Sequence, residues 1–175
     1  MIHVIIKSLL FGFLATGPIF AQDSEVAGIT KIDSLVPLQD YLARPTAEIT
    51  PAYPFTRCAG LALGVKYYAG GNFDAETAAR TEAGIAALRT ASIVLTLEQN
   101  ATRRGVTLGD LSATEVEQVM NEVWLMINSI AFFHRDKMQA NFVSDGSAFS
   151  NDPLITSDME TCAAISEYAV ANFSG

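Results

Sequence analysis

The sequence comprises 175 residues, a length typical of one domain, and its 11 Lys and Arg against 19 Asp and Glu give a formal net charge of −8. Half of the residues are hydrophobic and 17% are charged, so the chain can bury enough apolar surface to fold and is not an acidic disordered tail. Its negative charge excludes the basic surface by which proteins bind nucleic acid.

A secretory signal peptide is predicted over residues 1–21. This segment carries one cation, Lys7, an apolar run over residues 9–15, a Gly-Pro break and a small residue, Ala21, directly before polar residues. This is the pattern of a cleavable leader, and the apolar run is shorter than the ~20 residues that span a bilayer. We expect cleavage after Ala21 and a periplasmic or extracellular location, with the loss of Lys7 changing the net charge from −8 to −9. The alternative is an envelope protein tethered to the membrane by a retained leader.

The two cysteines, Cys58 and Cys162, are predicted to form a disulfide bond. Thiols at a suitable distance pair in an oxidising compartment, and a bond that closes a loop of about 100 residues restricts the unfolded chain by about 4.7 kcal/mol in the chain-entropy model. The alternative is a reactive thiolate at Cys58, where a helix start and the neighbouring Arg57 would favour the charged form.

Residues 22–54 are predicted to form an N-terminal arm. Four of the six prolines fall in this range, and their spacing leaves room for only a short helix near residues 36–43. Either the arm packs on the body or it stays loose. If it packs, the contacting side chains are expected to be Leu38, Tyr41, Leu42 and Tyr53.

Residues 55–175 are predicted to form one all-α bundle domain of four main helices, with no alternating run that would indicate a sheet. Apolar residues at steps of three and four mark the first helix, which Gly70–Gly71 ends. Asp74 is placed as the N-cap of a second helix, Ala75–Arg104, which Gly105 follows. The inward residues of this second helix are expected to be Ala78, Ile85, Leu88, Ser92 and Leu95.

Two capping boxes predict where the third and fourth helices begin. Ser112–Glu115 opens a third helix that continues to about residue 142, and Ser157–Glu160 opens the last helix. Between residues 123 and 133, nine of eleven residues are apolar, so this stretch is expected to be surrounded on all sides at the centre of the core. The disulfide would then join the first helix to the last. The last helix is expected to face inward through Met159, Cys162, Ile165, Ala169 and Phe173.

The first half of the second helix, residues 75–91, is rich in alanine. Small side chains let a neighbouring helix approach closely, so a tight crossing inside the bundle is expected. The alternative is a self-association face that would support a homo-oligomer.

Motifs for most catalytic and metal sites are absent from the sequence. After removal of the leader, His134 is the single histidine, and zinc-binding, covalent haem, nucleotide-binding and nucleophile-elbow motifs are missing. The carboxylates that could act as a pair in glycoside hydrolysis fall where helix caps or solvated faces account for them. We therefore expect no cofactor, no metal ion and no catalytic activity.

Trp124, Asn128, His134 and Arg135 are the candidate site residues. Asn128 is embedded among apolar residues and needs partners, so it could line a polar pocket walled by Trp124, with Arg135 on the same helical line. The alternative is one interhelical hydrogen bond that sets the register. His134 could act as a general base or titrate near its ordinary pKa of ~6.5. The alternative is a histidine at the edge of the core, bonded to a loop carbonyl.

These features favour an exported helical binding or accessory protein that acts through protein–protein interaction. An acidic surface favours a partner with a cationic patch and contributes more to the encounter rate than to affinity. Nucleic acid is not expected as a partner, and no stable membrane span is expected after cleavage. The alternative is a small enzyme or ligand carrier with an interhelical pocket near the four candidate site residues.

Overall fold

Five α-helices make up most of the structure, a computed structural model that describes residues 28–149 and 151–174. They are α1 (Leu38–Leu42), α2 (Tyr53–Ala69), α3 (Ala75–Arg104), α4 (Ala113–Asp145) and α5 (Pro153–Phe173). Short 3-10 turns at Thr46–Glu48 and Leu108–Asp110 lie in the connections, and the described residues contain no strand. The predicted all-α bundle of four main helices, α2 to α5, is confirmed. The signal peptide predicted over residues 1–21 lies outside the described residues.

Side-chain caps set the ends of α3 and α4 where the sequence places them. The Asp74 carboxylate accepts a hydrogen bond from the Thr77 amide at 2.7 Å. Gly105 ends α3 with a φ of 67°, a left-handed conformation that other residue types rarely adopt. Ser112 and Glu115 form the reciprocal capping box that opens α4. The observed bounds of α3 are the predicted ones, and α4 runs slightly further than predicted.

The start of α5 differs from the prediction. Asp152 is its N-cap and accepts hydrogen bonds from the Leu154 and Ile155 amides at 3.0 and 3.1 Å, while Pro153 occupies the first helical position. Proline is favoured there because its missing N–H would have no helical partner. Ser157–Glu160 therefore lies within the helix, and the capping box predicted for these residues is wrong. Of the five residues expected to face inward, Cys162 and Ala169 are buried, Ile165 and Phe173 are half-buried, and Met159 is exposed.

The closest helix crossing lies between α2 and α4. A Cβ atom added at Gly60 would overlap Ile130, and one added at Gly64 would lie 2.7 Å from the carbonyl oxygen of Ala131. The alanine-rich half of α3, for which a tight crossing is predicted, is only partly buried, since Ala87 and Ala91 lie in the interior at 2% and 0% exposure. Space around Gly84 is open, and only a minority of the small residues are buried there. The exposed ones are Ala75, Ala79, Ala83 and Ala86.

The centre of α4 forms part of the core but is not surrounded. Ile127, Ile130 and Ala131 are fully buried, whereas Trp124 and Met126 are 38% and 47% exposed. The prediction that this stretch is covered on all sides is therefore wrong. The reason is its place in the bundle: α4 packs mainly against α2, whereas α2 packs against α3, α4 and α5. The central helix is α2.

The N-terminal arm packs on the bundle through Leu38, Tyr41 and Tyr53, whereas residues 42–47 are exposed. Leu38 is 1% exposed, and Tyr41 and Tyr53 pack against the main hydrophobic core with their ring centroids 4.6 Å apart. Leu42, also predicted to pack inward, is 37% exposed; the contact with the body at this end of α1 is made by Tyr41. The arm thus takes the packed form through these contacts.

The predicted disulfide bond is present. Cys58 of α2 and Cys162 of α5 are bonded, with their Cα atoms 5.2 Å apart, and both side chains are buried. The bond ties the first main helix to the last, as expected, and is compatible with an exported protein. Among the described residues, no helix has the length and apolar character needed to cross a bilayer.

Candidate functional site

The four residues predicted to form a site lie in two different environments. Trp124, Asn128 and Arg135 follow one side of α4, where the Arg89 guanidinium lies 5.6 Å from the Trp124 ring and that of Arg135 lies 4.7 Å from the Phe132 ring. His134 contacts α5 instead. The cavities described below are lined by none of these four residues.

Asn128 forms an interhelical hydrogen bond. Its side-chain oxygen accepts from the Tyr67 hydroxyl of α2 at 3.1 Å, and its amide nitrogen donates to the Trp124 carbonyl at 2.8 Å. Burial raises the pKa of Tyr67, whose ring stacks on Phe132. The buried amide is therefore satisfied within the bundle, as expected for a residue that sets the register of α2 against α4.

A buried ion pair joins α2 to α5. Nε and Nη2 of Arg57 lie 2.6 and 2.5 Å from Oδ2 of Asp158, and the two side chains are 1% and 0% exposed. The other carboxylate oxygen accepts the Leu38 amide at 2.8 Å. Arg57 also donates to the Val36 carbonyl and to the Tyr53 hydroxyl at 3.2 and 3.3 Å. One ion pair thus holds the arm, α2 and α5 together.

His134 of α4 completes this group, and we call Arg57, His134 and Asp158 the buried cluster. The imidazole is fully buried, with Nε2 3.4 Å from Oδ2 of Asp158, and neither ring nitrogen makes a hydrogen bond to a described residue. Burial lowers the pKa of His134, although Asp158 opposes this, so the ring is neutral at pH 7. The predicted loop-carbonyl bond is not formed, since the neighbour is a carboxylate on a helix.

Asp158 is ionised in this setting. Burial alone would raise the pKa of its carboxyl group, but the contacts with His134, Arg57 and the Leu38 amide outweigh burial and hold the pKa below its usual value. The buried cluster thus contains a charge-paired Arg57 and Asp158 beside an imidazole without a hydrogen bond, and all three side chains are almost completely buried. Through its hydrogen bonds to the backbone of Val36 and Leu38, the cluster holds the arm against the bundle.

An open apolar pocket of about 240 Å³ lies where the arm, α2, α3 and α4 meet. The hydroxyl groups of Tyr41 and Tyr53 both accept hydrogen bonds, from the Thr50 amide at 2.8 Å and from Arg57 at 3.3 Å. Glu122 is the one charged side chain among its described lining residues. The principal walls are Tyr41, Tyr53, Thr96, Val123 and Met126.

A polar groove of about 330 Å³ continues from this pocket between α3 and α4, and Glu122 lines both. Arg103 and Arg104 of α3 border it, and Arg104 forms an ion pair with Glu115. The Gln118 amide donates to Glu122 at 2.8 Å. We call the apolar pocket and the polar groove together the α3–α4 groove.

Sequence reasoning missed the α3–α4 groove and the buried cluster for different reasons. The walls of the apolar pocket come from four separate elements, so no local spacing reveals them. The capping box predicted at Ser157–Glu160 includes Asp158 and so does not suggest a role for it as the partner of Arg57. The available signal was the position of the two charges beside the bonded cysteines, because Arg57 directly precedes Cys58 and Asp158 lies one helical turn before Cys162.

No group of three or more His, Cys, Asp and Glu side chains in residues 28–149 and 151–174 could hold a metal ion.

A scan against protein-family models, a search of curated proteins and a search of solved structures found no match.

Proposed function

We propose that this protein is an exported helical binding protein that acts through protein–protein interaction and engages its partner in the α3–α4 groove. The observation that carries this proposal is the groove itself: an open apolar pocket, lined in part by Tyr41 and Tyr53, that adjoins a polar groove of larger volume. Protein interfaces are typically organised in this way, with an anchor side chain in a pocket surrounded by polar contacts.

The size of the apolar pocket supports a partner side chain as its occupant. At about 240 Å³, the pocket is smaller than the ~300–1,000 Å³ of sites that enclose drug-sized ligands. A single apolar or aromatic side chain is therefore the better fit. The exposed Met126 at its edge is a flexible side chain of the kind that adapts to different partner surfaces.

Export is proposed on the leader-like residues 1–21 together with the disulfide bond. N-terminal sequencing of the protein recovered from its source is expected to begin at Gln22. A product that retains the leader would instead favour the membrane-tethered alternative.

Site-specific photocrosslinking tests the groove as the binding surface. A photoreactive benzophenone amino acid is placed at Met126, or at Val170 of α5 as a control with nearly the same exposure, 45% against 47%. Expressed in the native source, the Met126 derivative is expected to form one discrete protein adduct that the Val170 derivative lacks. The adduct is expected to disappear when Thr96→Trp fills the pocket.

Two outcomes would contradict the proposal. One is an adduct that persists in the Thr96→Trp background, which would show that the partner does not enter the pocket. The other is the absence of a specific protein adduct at Met126. A small molecule that co-purifies in the pocket, visible as a mass increment in native mass spectrometry, would favour the ligand-carrier alternative.

A further inference from the structure

The charges along the α3–α4 groove indicate what kind of partner segment it accepts. Resting on the proposed function, we propose that the groove selects an extended segment with an apolar anchor, a basic residue close to the anchor and an acidic residue further along. The anchor enters the apolar pocket, the basic residue meets Glu122, and the acidic residue meets Arg103.

Glu122 is placed to select a positive charge beside the anchor. It is exposed and lines both parts of the groove, and within the described residues it forms a hydrogen bond with Gln118 but no ion pair. Its charge is therefore available to a partner. The lining of the apolar pocket contains no cation that would compete for it.

Arg103 is placed to select a negative charge at the far end. Its neighbour Arg104 is neutralised by Glu115, whereas the structure shows no ion pair between Arg103 and any described residue. The groove thus has an apolar end, an acidic junction at Glu122 and a basic end at Arg103. This order of charges distinguishes it from a uniformly acidic surface.

Helix geometry sets the spacing of the partner's residues. Glu122 lies one helical turn from Met126, about 6 Å along α4, and Arg103 lies seven residues from Thr96, about 10 Å along α3. An extended segment advances ~3.3 Å per residue. The basic residue is therefore expected about two positions from the anchor, and the acidic residue about three or four positions from it.

A random linear peptide library displayed on phage is the probe for this proposal. It is panned against the purified protein with its disulfide intact, and counter-selected against Thr96→Trp. The recovered peptides are expected to share an apolar residue with Lys or Arg about two positions away.

Two variants test the role of Glu122. Glu122→Lys is expected to weaken the binding of these peptides about tenfold, because their basic residue is then repelled instead of attracted. Glu98→Lys, an exposed site outside the groove with the same charge change, is expected to leave binding within about twofold.

A charge swap completes the test. Replacing the basic residue of a recovered peptide by Glu is expected to abolish binding to the wild-type protein and to restore it to the Glu122→Lys variant. Replacing the acidic residue of the peptide by Lys is expected to weaken its binding to the wild-type protein. The Arg103→Glu variant is expected to bind this altered peptide again.

The outcomes separate this inference from the proposed function. One outcome is that Thr96→Trp excludes the peptides but Glu122→Lys and Glu98→Lys change their binding equally. This result would contradict the proposed order of charges, and the groove would remain the proposed binding surface. Failure of the library to yield any peptide that Thr96→Trp excludes would overturn the use of the groove itself, and with it this inference.

Discussion

Among single residues, Arg57 and Asp158 are distinguished by being buried charges. Both are almost completely buried, and each depends on the other for compensation of its charge. An ion pair of this kind often adds little net stability compared with apolar side chains of similar volume, but removal of one partner leaves a buried charge. Because Asp158 also accepts the Leu38 amide, the pair specifies where the arm docks.

Removal of one charge from this pair is expected to be strongly destabilising. Asp158→Asn should lower the free energy of unfolding by about 3–5 kcal/mol, because Arg57 would remain buried without its counter-ion. Urea denaturation followed by circular dichroism measures the change. Asp136→Asn, at an exposed carboxylate paired with Arg135, is the control and should change stability by less than about 1 kcal/mol. Equal losses in the two variants would contradict the role of the buried pair.

His134 is expected to make the protein less stable as the pH falls. Its folded pKa lies below its usual value of 6.5, so below that pH the unfolded chain binds a proton that the folded chain does not. Stability should therefore decrease as the pH falls from about 7 until it passes the folded pKa, with a slope of at most about 1.4 kcal/mol per pH unit. The stabilising contribution of Asp158 is lost only at lower pH, because its pKa lies below 3.8.

Denaturation curves of His134→Gln measure the contribution of the histidine. This variant should show a shallower dependence on pH over the same range, whatever its absolute stability. An unchanged slope would mean that another group titrates on unfolding.

At the scale of helices, the approach of α2 to α4 depends on two glycines. Gly60 and Gly64 place the α2 backbone directly against Ile130 and Ala131. This approach brings α4 close enough for Asn128 to accept from Tyr67 across the interface. The alanine-rich half of α3 does not serve this purpose, since its small side chains largely face outward.

A pair of Gly→Ala substitutions tests this crossing. Gly64→Ala should destabilise the protein by about 1–3 kcal/mol, because the new methyl group would meet a backbone oxygen that cannot move without shifting α4. Gly84→Ala, in a helix but with no neighbour within 4 Å, should stabilise it by about 0.5–1 kcal/mol. Thermal denaturation of both variants measures the two shifts. A neutral or stabilising Gly64→Ala would contradict the close approach.

For the molecule as a whole, the disulfide bond closes a long covalent loop. It links residues 104 positions apart and acts on the same pair of helices, α2 and α5, as the Arg57–Asp158 ion pair. Both links hold α5 beside α2, and the disulfide bond encloses α3 and α4 within its covalent loop.

Loss of the disulfide bond is expected to destabilise the whole bundle. Substitution of both Cys58 and Cys162 by alanine should lower the free energy of unfolding by about 2–5 kcal/mol, because the unfolded chain gains freedom. Guanidinium denaturation measures this, and reduction of the wild-type protein should give a similar loss. The non-reduced protein should also fail to react with a thiol reagent after unfolding. Two reactive thiols in that experiment would contradict the bond.

Elements with a local signal could be predicted from the sequence. Asp74, Gly105 and the Ser112–Glu115 capping box mark helix ends because each acts on backbone groups within a few residues. Apolar periodicity predicted the helical class, and the pair of cysteines predicted the bond between the first and last helices. These features require no knowledge of which helix lies beside which.

Only the tertiary structure decided what depends on neighbours distant in the chain. Asp158 became the partner of Arg57 because α5 begins at Pro153 and packs beside α2, and Met126 became exposed because α4 lies at the side of the bundle. The α3–α4 groove likewise requires the arm and three helices to meet. Hydrophobic pattern determines that a face is buried, but the packing of helices against one another determines which faces stay open. The sequence by itself therefore determined an all-helical, disulfide-bonded chain, and the arrangement of its helices decided where the α3–α4 groove lies open.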